Sequence, residues 1–540
     1  MLKYLSKGKG FLFLGTLFSV IATVAQATIP YLSKLLFDYG FGGEFQTILW
    51  LILAYLVCAA VISLGQYLSL LFQWKLIRRF NINLKAALVK GIFRHTVPDF
   101  QKKSIGDYLS ILTNDTMALM SDWLDPLLDI VNFSLTLVVY AVFLFVFVDF
   151  RIATVILLAS LLAVFLPKIT AKELSSRRKQ ELGEMETYTS KVKDLLEGFK
   201  FLNRRSFEPM AKEHEEYLKK AENCRYRRGA FYSFTLNING FVLNIINLSA
   251  FAAVAVLLFQ GEITVGTGVA TLGYIESFLI LIQYIVESIN AIVSTKEVKE
   301  KVLSYTEYRP ALQQELPAHA WPLDLEGVTV EYDGFSLRNF SYTFRPGKKY
   351  AVIGHNGSGK STLFHAILKY APLSQGEVRL GTYDAKDYDV SKVMADVCQH
   401  EHMFAVPYEK NVTLFGAYSA EKLPEIEGEL QGDTLDMVRG SADCTTLSGG
   451  QQQLVHLIRL LLSDQPVLLL DEPFSAMDKA NRDQLQEKLL RMPGKTILVI
   501  THDLTPEHLA LYDEVLILRD GRLCFAGSPE QAVAEMGNYI

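Results

Sequence analysis

The sequence predicts two folds in tandem: a bundle of six membrane-spanning α-helices with long cytoplasmic extensions, then a soluble α/β domain. Three observations predict it. Hydrophobic residues make up 50% of the 540 residues and charged residues only 21%, with mean hydropathy +0.20; an ordinary soluble protein is about 25% charged. The apolar excess is concentrated in residues 1–303, in runs that approach or exceed the ~20 residues a helix needs to cross a bilayer. From Leu323 the texture changes to short β-rich runs alternating with helical ones.

Six spans are predicted, over residues 11–31, 48–72, 127–148, 152–166, 234–259 and 265–293, the fourth being short for a span. Lys3, Lys7 and Lys9 precede the first span, Lys75, Arg78, Arg79, Lys85, Lys90 and Arg94 follow the second, and residues 168–228 are again rich in Lys and Arg. The connections 38–47 and 260–265 hold neither residue type. An excess of basic residues marks the cytoplasmic side, so both termini and the two long connections are expected there, in a multi-pass protein of a bacterial cytoplasmic membrane. Those connections, 81–96 and 174–225, mix charged and apolar residues at helical spacing with almost no Pro or Gly. They read as helices continuing out of the membrane, doubling back near 104–107 and near 197–198, where a soluble domain could be touched. Residues 304–322, with Pro310, Pro317 and Pro322, read as a linker between a membrane domain, 1–303, and the α/β domain, 323–540.

Charge and cysteine content exclude other classes. A net charge of −5 and a pI near 6.1 give no basic character for nucleic acid. Cys58, Cys224, Cys398, Cys444 and Cys524 are scattered, odd in number and without a C-x-x-C pair, so neither a disulfide framework nor a zinc site is read, only reduced thiols. Residues 1–10 are short and basic, but the apolar stretch after them is too long for a signal-peptide core, so no cleavable signal is expected.

The α/β domain carries a phosphate-binding pattern. The apolar run 350–353 opens into Gly354-His355-Asn356-Gly357-Ser358-Gly359-Lys360-Ser361-Thr362, followed by a helical stretch, 363–370. This is G-x-x-x-x-G-K-[ST] in its strand–loop–helix setting. Its glycines let backbone N–H groups turn inward around phosphates at a helix N-terminus. Lys360 should reach the β- and γ-phosphates of ATP, and Ser361 should ligate Mg²⁺. A second apolar run, 467–470, ends in Asp471-Glu472, where an aspartate can hold the Mg²⁺ shell and a glutamate can polarise the attacking water. A third, 496–500, delivers His502 toward the γ-phosphate.

Leu447-Ser448-Gly449-Gly450-Gln451, followed by Gln453 and Arg459 on a predicted helix, resembles the signature of the ATP-binding cassette (ABC) family. With the preceding motifs, the resemblance covers the whole soluble half. It implies a RecA-like α/β ATPase domain with a helical subdomain. It implies that Gln399 is the Q-loop glutamine and a further magnesium ligand, that Ser475-Ala476-Met477-Asp478 is the D-loop, and that Tyr332 stacks on adenine. The membrane half is similar to exporter-type half-transporters, and Phe100, Gly106 and Asp115 fall where that family has an F…G…D pattern. The resemblance further implies a dimer with a second half-transporter, identical or not, in which each ATP lies between one chain's phosphate loop and the other's signature and D-loop. Three features depart from the family. Gln452 and Leu454 stand where arginines are common, residues 439–444 lack a glutamate often found near Ala442, and no peptidase domain precedes the spans.

Polar residues in the spans fall on faces. Glu276, Gln283, Glu287, Asn290 and Ser294 follow helical spacing in the last span, and Asn237, Gly240, Asn244 and Asn247 do so in the fifth. Asp122, Asp125, Asp129, Asn132 and Thr136 do the same around the start of the third, and Ser19, Thr23 and Gln26 share a face of the first. Such faces turn inward, as a substrate path or as interhelical glue. Asp129, Asn237, Asn244, Glu276, Gln283, Glu287 and Asn290 are the path candidates. The expected function is ATP hydrolysis that drives a peptide, lipid or amphipathic small molecule outward across the membrane. Import of a siderophore-like substrate and a regulatory membrane ATPase are the alternatives that these residues leave open.

Overall fold

The computed structural model describes residues 1–40, 45–147, 150–308, 314–317, 319, 321–332, 334–398, 401–429, 433–475, 477 and 479–539. Its contacts separate two compact units, Met1–Arg94 with Ser104–Tyr308, and His95–Lys103 with Arg309–Ile540.

The first unit is helical. A short helix α1 (Leu2–Leu5) precedes α2 (Lys9–Gly40) and α3 (Phe45–Ile92). Then come α4 (Val97–Gln101), which belongs to the second unit, α5 (Ile105–Ser110), α6 (Thr116–Leu119) and α7 (Asp125–Phe147). The long helices α8 (Phe150–Glu197), α9 (Phe207–Phe259) and α10 (Val265–Ser294) follow, and α11 (Lys296–Glu307) closes the unit. Among the described residues five stretches are long and apolar enough to cross a membrane, Lys3–Tyr39, Phe45–Ile92, Ile105–Val146, Phe207–Phe259 and Val265–Ser294. The short fourth predicted span, 152–166, lies on α8 at residues whose side chains, Thr154 apart, fall outside those described. The 53 residues of α9 measure about 80 Å at ~1.5 Å per residue, against a hydrocarbon core of about 30 Å. The surplus is the extension predicted from the charged, helix-spaced sequence.

The first turn of the predicted helical extensions lies earlier than expected. The helix expected through residue 96 stops at Ile92. Thr96 then caps α4 by accepting from the Asp99 N–H at 3.3 Å, with Pro98 in the first helical turn. Residues 104–107, expected as the turn itself, are a helix start. Ser104 and Asp107 form a reciprocal capping box at the head of α5, which satisfies two otherwise orphan donors. The second turn follows Glu197, with one 3₁₀ turn at Phe199–Phe201.

Between α5 and α7 the helix carries two π-helical turns, Ile111–Asp115 and Met120–Leu124. In the first, Asp115 is ion-paired with Lys301 of α11 at 2.7 Å. In the second, Trp123 stacks on Phe80 of α3 at 6.2 Å, with the Lys299 amine 5.4 Å from its ring centre. The same cluster buries Leu84, Leu88, Leu119 and Val302 completely. At Gly91, α3 and α11 touch through the backbone, and a Cβ there would meet the Tyr305 carbonyl oxygen at 1.9 Å. Gly91→Ala is therefore expected to cost about 1–3 kcal/mol through overpacking, read as a lowered unfolding midpoint of the purified protein. An unchanged midpoint would mean that the two helices separate there without penalty.

Near the end of α2, Asp38 caps α10. Its carboxylate accepts from the Gly266 N–H and the Thr264 hydroxyl, each at 3.1 Å.

Residues 304–322, expected as a linker, hold structure at both ends. α11 continues to Glu307, with Val302 and Tyr305 buried, because Pro310 is the first helix breaker. Leu316 is 2% exposed in the core of the second unit, and Trp321 packs edge-on against Tyr383 at 5.3 Å.

The second unit is α/β. In chain order it runs β1 (Gln314–Glu315), β2 (Leu323–Tyr332), β3 (Phe335–Phe344), β4 (Lys349–Ile353), α12 (Lys360–Ile367), β5 (Gln375–Leu380), β6 (Tyr383–Asp384), β7 (Tyr388–Asp389) and β8 (Met394–Val397). A helical subdomain follows, α13 (Tyr408–Val412), α14 (Leu423–Glu429), α15 (Asp433–Arg439) and α16 (Gly449–Ser463), around buried Val412, Val438, Val455 and Ile458. The chain then returns through β9 (Val467–Asp471), α17 (Lys479–Leu490), β10 (Thr496–Ile500), α18 (Pro506–Leu509), β11 (Glu514–Arg519), β12 (Arg522–Gly527) and α19 (Pro529–Tyr539). The main sheet has the order β12-β11-β4-β10-β9-β8, parallel except for β12. Every residue of β4 and β10 is buried, as expected of central parallel strands covered on both faces. An antiparallel sheet, β3-β2-β5-β6, stands beside it, and β1 pairs with β7. All five cysteines are free thiols.

Candidate nucleotide and substrate sites

Sheet order converts three separate sequence motifs into one place. β4, β10 and β9 are neighbours, and their register pairs Ile500 with both Val352 and Asp471. Their carboxyl ends therefore open at one edge of the sheet, where ligands of open α/β folds bind. The phosphate loop leaves β4, Asp471-Glu472 leaves β9, and Thr501-His502 leaves β10.

The loop needs its first glycine. Gly354 has φ +151°, and a Cβ there would stand 2.2 Å from the Leu518 carbonyl oxygen and 2.7 Å from Ser358 Oγ. His355, Asn356 and Gly357 are exposed, while Ser358, Gly359 and Lys360 are buried. Lys360 Nζ donates to the carbonyls of Gly354 and His355 at 2.8 and 3.0 Å, which places the ammonium inside the loop. Burial holds its pKa below the ordinary lysine value, opposed by the nearby carboxylates of Asp471 and Glu472. Burial likewise raises Asp471, partly offset by a hydrogen bond from Ser361. Ser361 Oγ donates to Asp471 Oδ2 at 2.7 Å. Two hard oxygen donors thus converge beside a phosphate loop, a donor set that suits Mg²⁺. Thr362 follows on α12.

Glu472 sits in a left-handed backbone conformation, φ +50°, and its N–H donates to the Ile500 carbonyl at 3.1 Å. A non-glycine residue held there costs about 1–3 kcal/mol and marks places the surrounding structure over-determines. The consequence is geometric. Glu472 Oε1 lies 2.6 Å from His502 Nε2. Tyr332, at the end of β2, is 47% exposed, so its ring has a free face for a base.

The signature stands at the head of α16. Ser448 and Gln451 form a capping box, with Gln451 Oε1 accepting from the Ser448 N–H at 3.0 Å. Leu447 packs on the helical-subdomain core, Ser448 and Gly449 are exposed, and Gly450 and Gln451 are half-buried. The 15-residue helix behind them directs its positive end outward. Gln453 donates to Ser475 Oγ at 3.1 Å, which ties α16 to the segment after β9. Arg459 donates to the Asn411 carbonyl and side chain at 2.9 and 3.1 Å. The two departures on the signature helix have local explanations. Gln452 donates to the carbonyls of Thr445 and Leu447, and Leu454 is 5% exposed in the subdomain core, where an arginine would be costly. Gln399 and Asp478 lie outside the described residues.

Several residues in this unit were not singled out in the sequence. Asn411 is fully buried and bridges Phe404, Val406 and Arg459. Glu401 lies 4.0 Å from Arg459 and accepts from the Cys398 N–H. His456 is 5% exposed, and burial lowers its pKa to about 4. A buried polar residue on a helix with apolar neighbours was the available signal for His456; Asn411 and Glu401 carried none.

In the first unit the polar stripes divide. Thr23 and Thr136 bond to each other at 3.2 Å, so the faces of the first and third spans meet as glue. Asn237 donates to its own helix at the Ser233 carbonyl. Gln283 Nε2 donates to Glu287 Oε1 at 3.0 Å, and both side chains are half-buried. Asn290 and Asp129 are half-buried, while Asn244 and Glu276 are exposed on the single chain.

Comparison with known proteins agrees with both halves. Residues 12–282 match the family described as ABC transporter transmembrane region, and residues 337–475 match ABC transporter. An ATP-dependent lipid A-core flippase of Pasteurella multocida is 27% identical over 96% of this chain and 93% of its own length. The human ABC-type oligopeptide transporter ABCB9 is 24% identical over 100% of this chain and 73% of its own length. The solved structure of a bacterial Atm1-family ABC exporter with ATP bound superposes with TM-score 0.83 at 16% identity, over 99% of this chain and 97% of the other. With a transmembrane region and an ATP-hydrolysing cassette in one chain, the protein belongs to the ABC transporter family.

Proposed function

We propose that the chain exports an amphipathic lipid or peptide across a bacterial cytoplasmic membrane, with its termini and ATPase domain in the cytoplasm. The observation that carries the catalytic part is the 2.6 Å Glu472–His502 contact beside the phosphate loop. The loop N–H groups and Lys360 bind the β- and γ-phosphates, and Tyr332 stacks on the adenine. Ser361, Asp471 and Gln399 hold Mg²⁺, which when bound neutralises charge on the phosphates. Glu472 orients a water and takes its proton as the water oxygen bonds to the γ-phosphorus. The bond from that phosphorus to the bridging oxygen breaks, releasing ADP and phosphate. His502 fixes the Glu472 carboxylate and faces the γ-phosphate. Leu447–Gln451 and Asp478 of the second half-transporter close over the same ATP. ATP drives the cycle because it binds the closed cassette pair more tightly than the open one. Export is supported by the flippase and transporter names of the relatives and by the ABC-exporter fold. Reconstituted vesicles with the cassettes outside should accumulate a labelled amphiphile on ATP addition, and Lys360→Ala vesicles should not. ATP hydrolysis without flux would identify a regulatory ATPase instead.

The cargo is cationic or zwitterionic. Asp125, Asp129, Glu276 and Glu287 lie on the polar stripes with no Lys or Arg among them, and a carboxylate in hydrocarbon costs several kcal/mol unless neutral, solvated or paired. Glu276→Gln keeps size and hydrogen bonding but removes the charge. It is expected to raise the concentration of a cationic amphiphile needed for half-maximal ATPase stimulation by about tenfold, the equivalent of ~1.4 kcal/mol. Matched neutral and anionic amphiphiles should be unaffected. Equal stimulation by all three, unchanged in the variant, removes the charge argument.

A further inference from the structure

We propose that Gln486 and His508 are positioning residues for hydrolysis, tying the loop that carries His502 to α17 so that His502 stays on Glu472. A cavity of roughly 110 Å³ opens behind the pair, among Glu472, Ser475, Arg482, Gln486, His502 and His508. Packing therefore does not fill the space behind the histidine loop. Polar bonds hold it instead, and they originate on one helix.

Arg482 and Gln486 lie four residues apart on α17, on one face. Gln486 is 3% exposed; its Nε2 donates to the Tyr512 hydroxyl at 3.0 Å and lies 2.9 Å from His508 Nε2. His508 Nε2 is 3.3 Å from Thr501 Oγ1, and Thr501 Oγ1 accepts from the Asp503 N–H at 3.1 Å. The Arg482 guanidinium lies 3.6 Å from Asp503 Oδ2, and His508 Nδ1 lies 3.8 Å from the same oxygen. Both chain neighbours of His502, Thr501 and Asp503, are thus anchored to α17, Thr501 through the His508 ring. Burial holds the His508 pKa below the ordinary histidine value, so near neutral pH the ring is uncharged and one nitrogen remains an acceptor. Gln486, at the centre of this network, is buried, so its bonds to Tyr512 and His508 are shielded from water and hold the loop.

The inference rests on the roles given above to Glu472 and His502, and the experiment separates the two. Full-length protein in lipid nanodiscs is assayed by single-turnover hydrolysis of radiolabelled ATP, which reads slow residual rates. Gln486→Leu, near-isosteric and without the amide, is expected to lower the hydrolysis rate about tenfold with KM for ATP unchanged. In a His502→Ala background the same substitution is expected to cost nothing further, because the group it positions is gone. His508→Asn should behave likewise and carries the test if Gln486→Leu fails to fold. Equal losses in both backgrounds, a loss in KM rather than rate, or no loss at all overturns the positioning role. A His502→Ala protein that hydrolyses at the wild-type rate overturns the role of His502 itself.

Discussion

Glu472→Gln is expected to lower ATP turnover by about 10²–10⁴-fold, the usual worth of a positioned general base, while leaving ATP binding intact. The side chain keeps its length and one oxygen, so the contact with His502 Nε2 at 2.6 Å can persist as a neutral hydrogen bond. What disappears is the ability to take the proton of the attacking water. Lys360 and Ser361, at the head of α12, keep their places. The left-handed backbone at Glu472 is equally available to glutamine. Nucleotide should therefore stay trapped with the cassettes closed. The check is retained radiolabelled ATP alongside phosphate release from a dimer changed in both chains. Near wild-type release would remove Glu472 from the mechanism.

The second large effect concerns where the signature acts. The Ser448 side chain bonds to the Gln451 N–H of its own turn, and Ser448 and Gly449 face solvent on the single chain. That exposed helix start suits a nucleotide held by the other chain of the dimer. In a homodimer, Lys360→Ala in one chain and Ser448→Arg in its partner should damage the same site and leave the other whole. Placing both changes in one chain should damage both sites. About one trapped ATP per mixed dimer and none in the other arrangement is the expected outcome, an all-or-none difference at each site. The reverse pattern would mean that each site is built within one chain.

The phosphate loop, Asp471-Glu472 and the signature were legible because each is a short run whose chemistry depends on its own spacing. The meeting of the phosphate loop with Asp471-Glu472 and His502 was not, since it depends on β4, β10 and β9 being neighbours, a non-local pairing. The stripe through Asp122, Asp125 and Asp129 shows a different limit. It assumed a plain helix of ~100° per residue, but Asp122 lies in the π turn Met120–Leu124, where each residue advances less. Asp125, Asp129, Asn132 and Thr136, all on α7, keep the predicted spacing, and Asp122 does not share it. The turn at 104–107 was misplaced because Ser and Asp signal both turns and helix caps, and only the partner three residues on tells them apart. Nothing in the order of residues marks Gln486 or His508, whose significance comes from α17 passing beside the end of β10.

The Asp38 cap on α10 acts as a bolt. Any motion that draws the adjoining ends of α2 and α10 apart must surrender the carboxylate's bonds to the Gly266 N–H and the Thr264 hydroxyl together. Hydrogen bonds to a charged group are worth about 1.5–3 kcal/mol each where water cannot replace them. Water can replace them here in part, because Asp38 is only half-buried. Even one net bond of ~1.4 kcal/mol weights the latched arrangement tenfold. The residue at position 38 is thus a dial on the resting bias of the bundle, adjustable without touching either the ATPase machinery or the polar stripes.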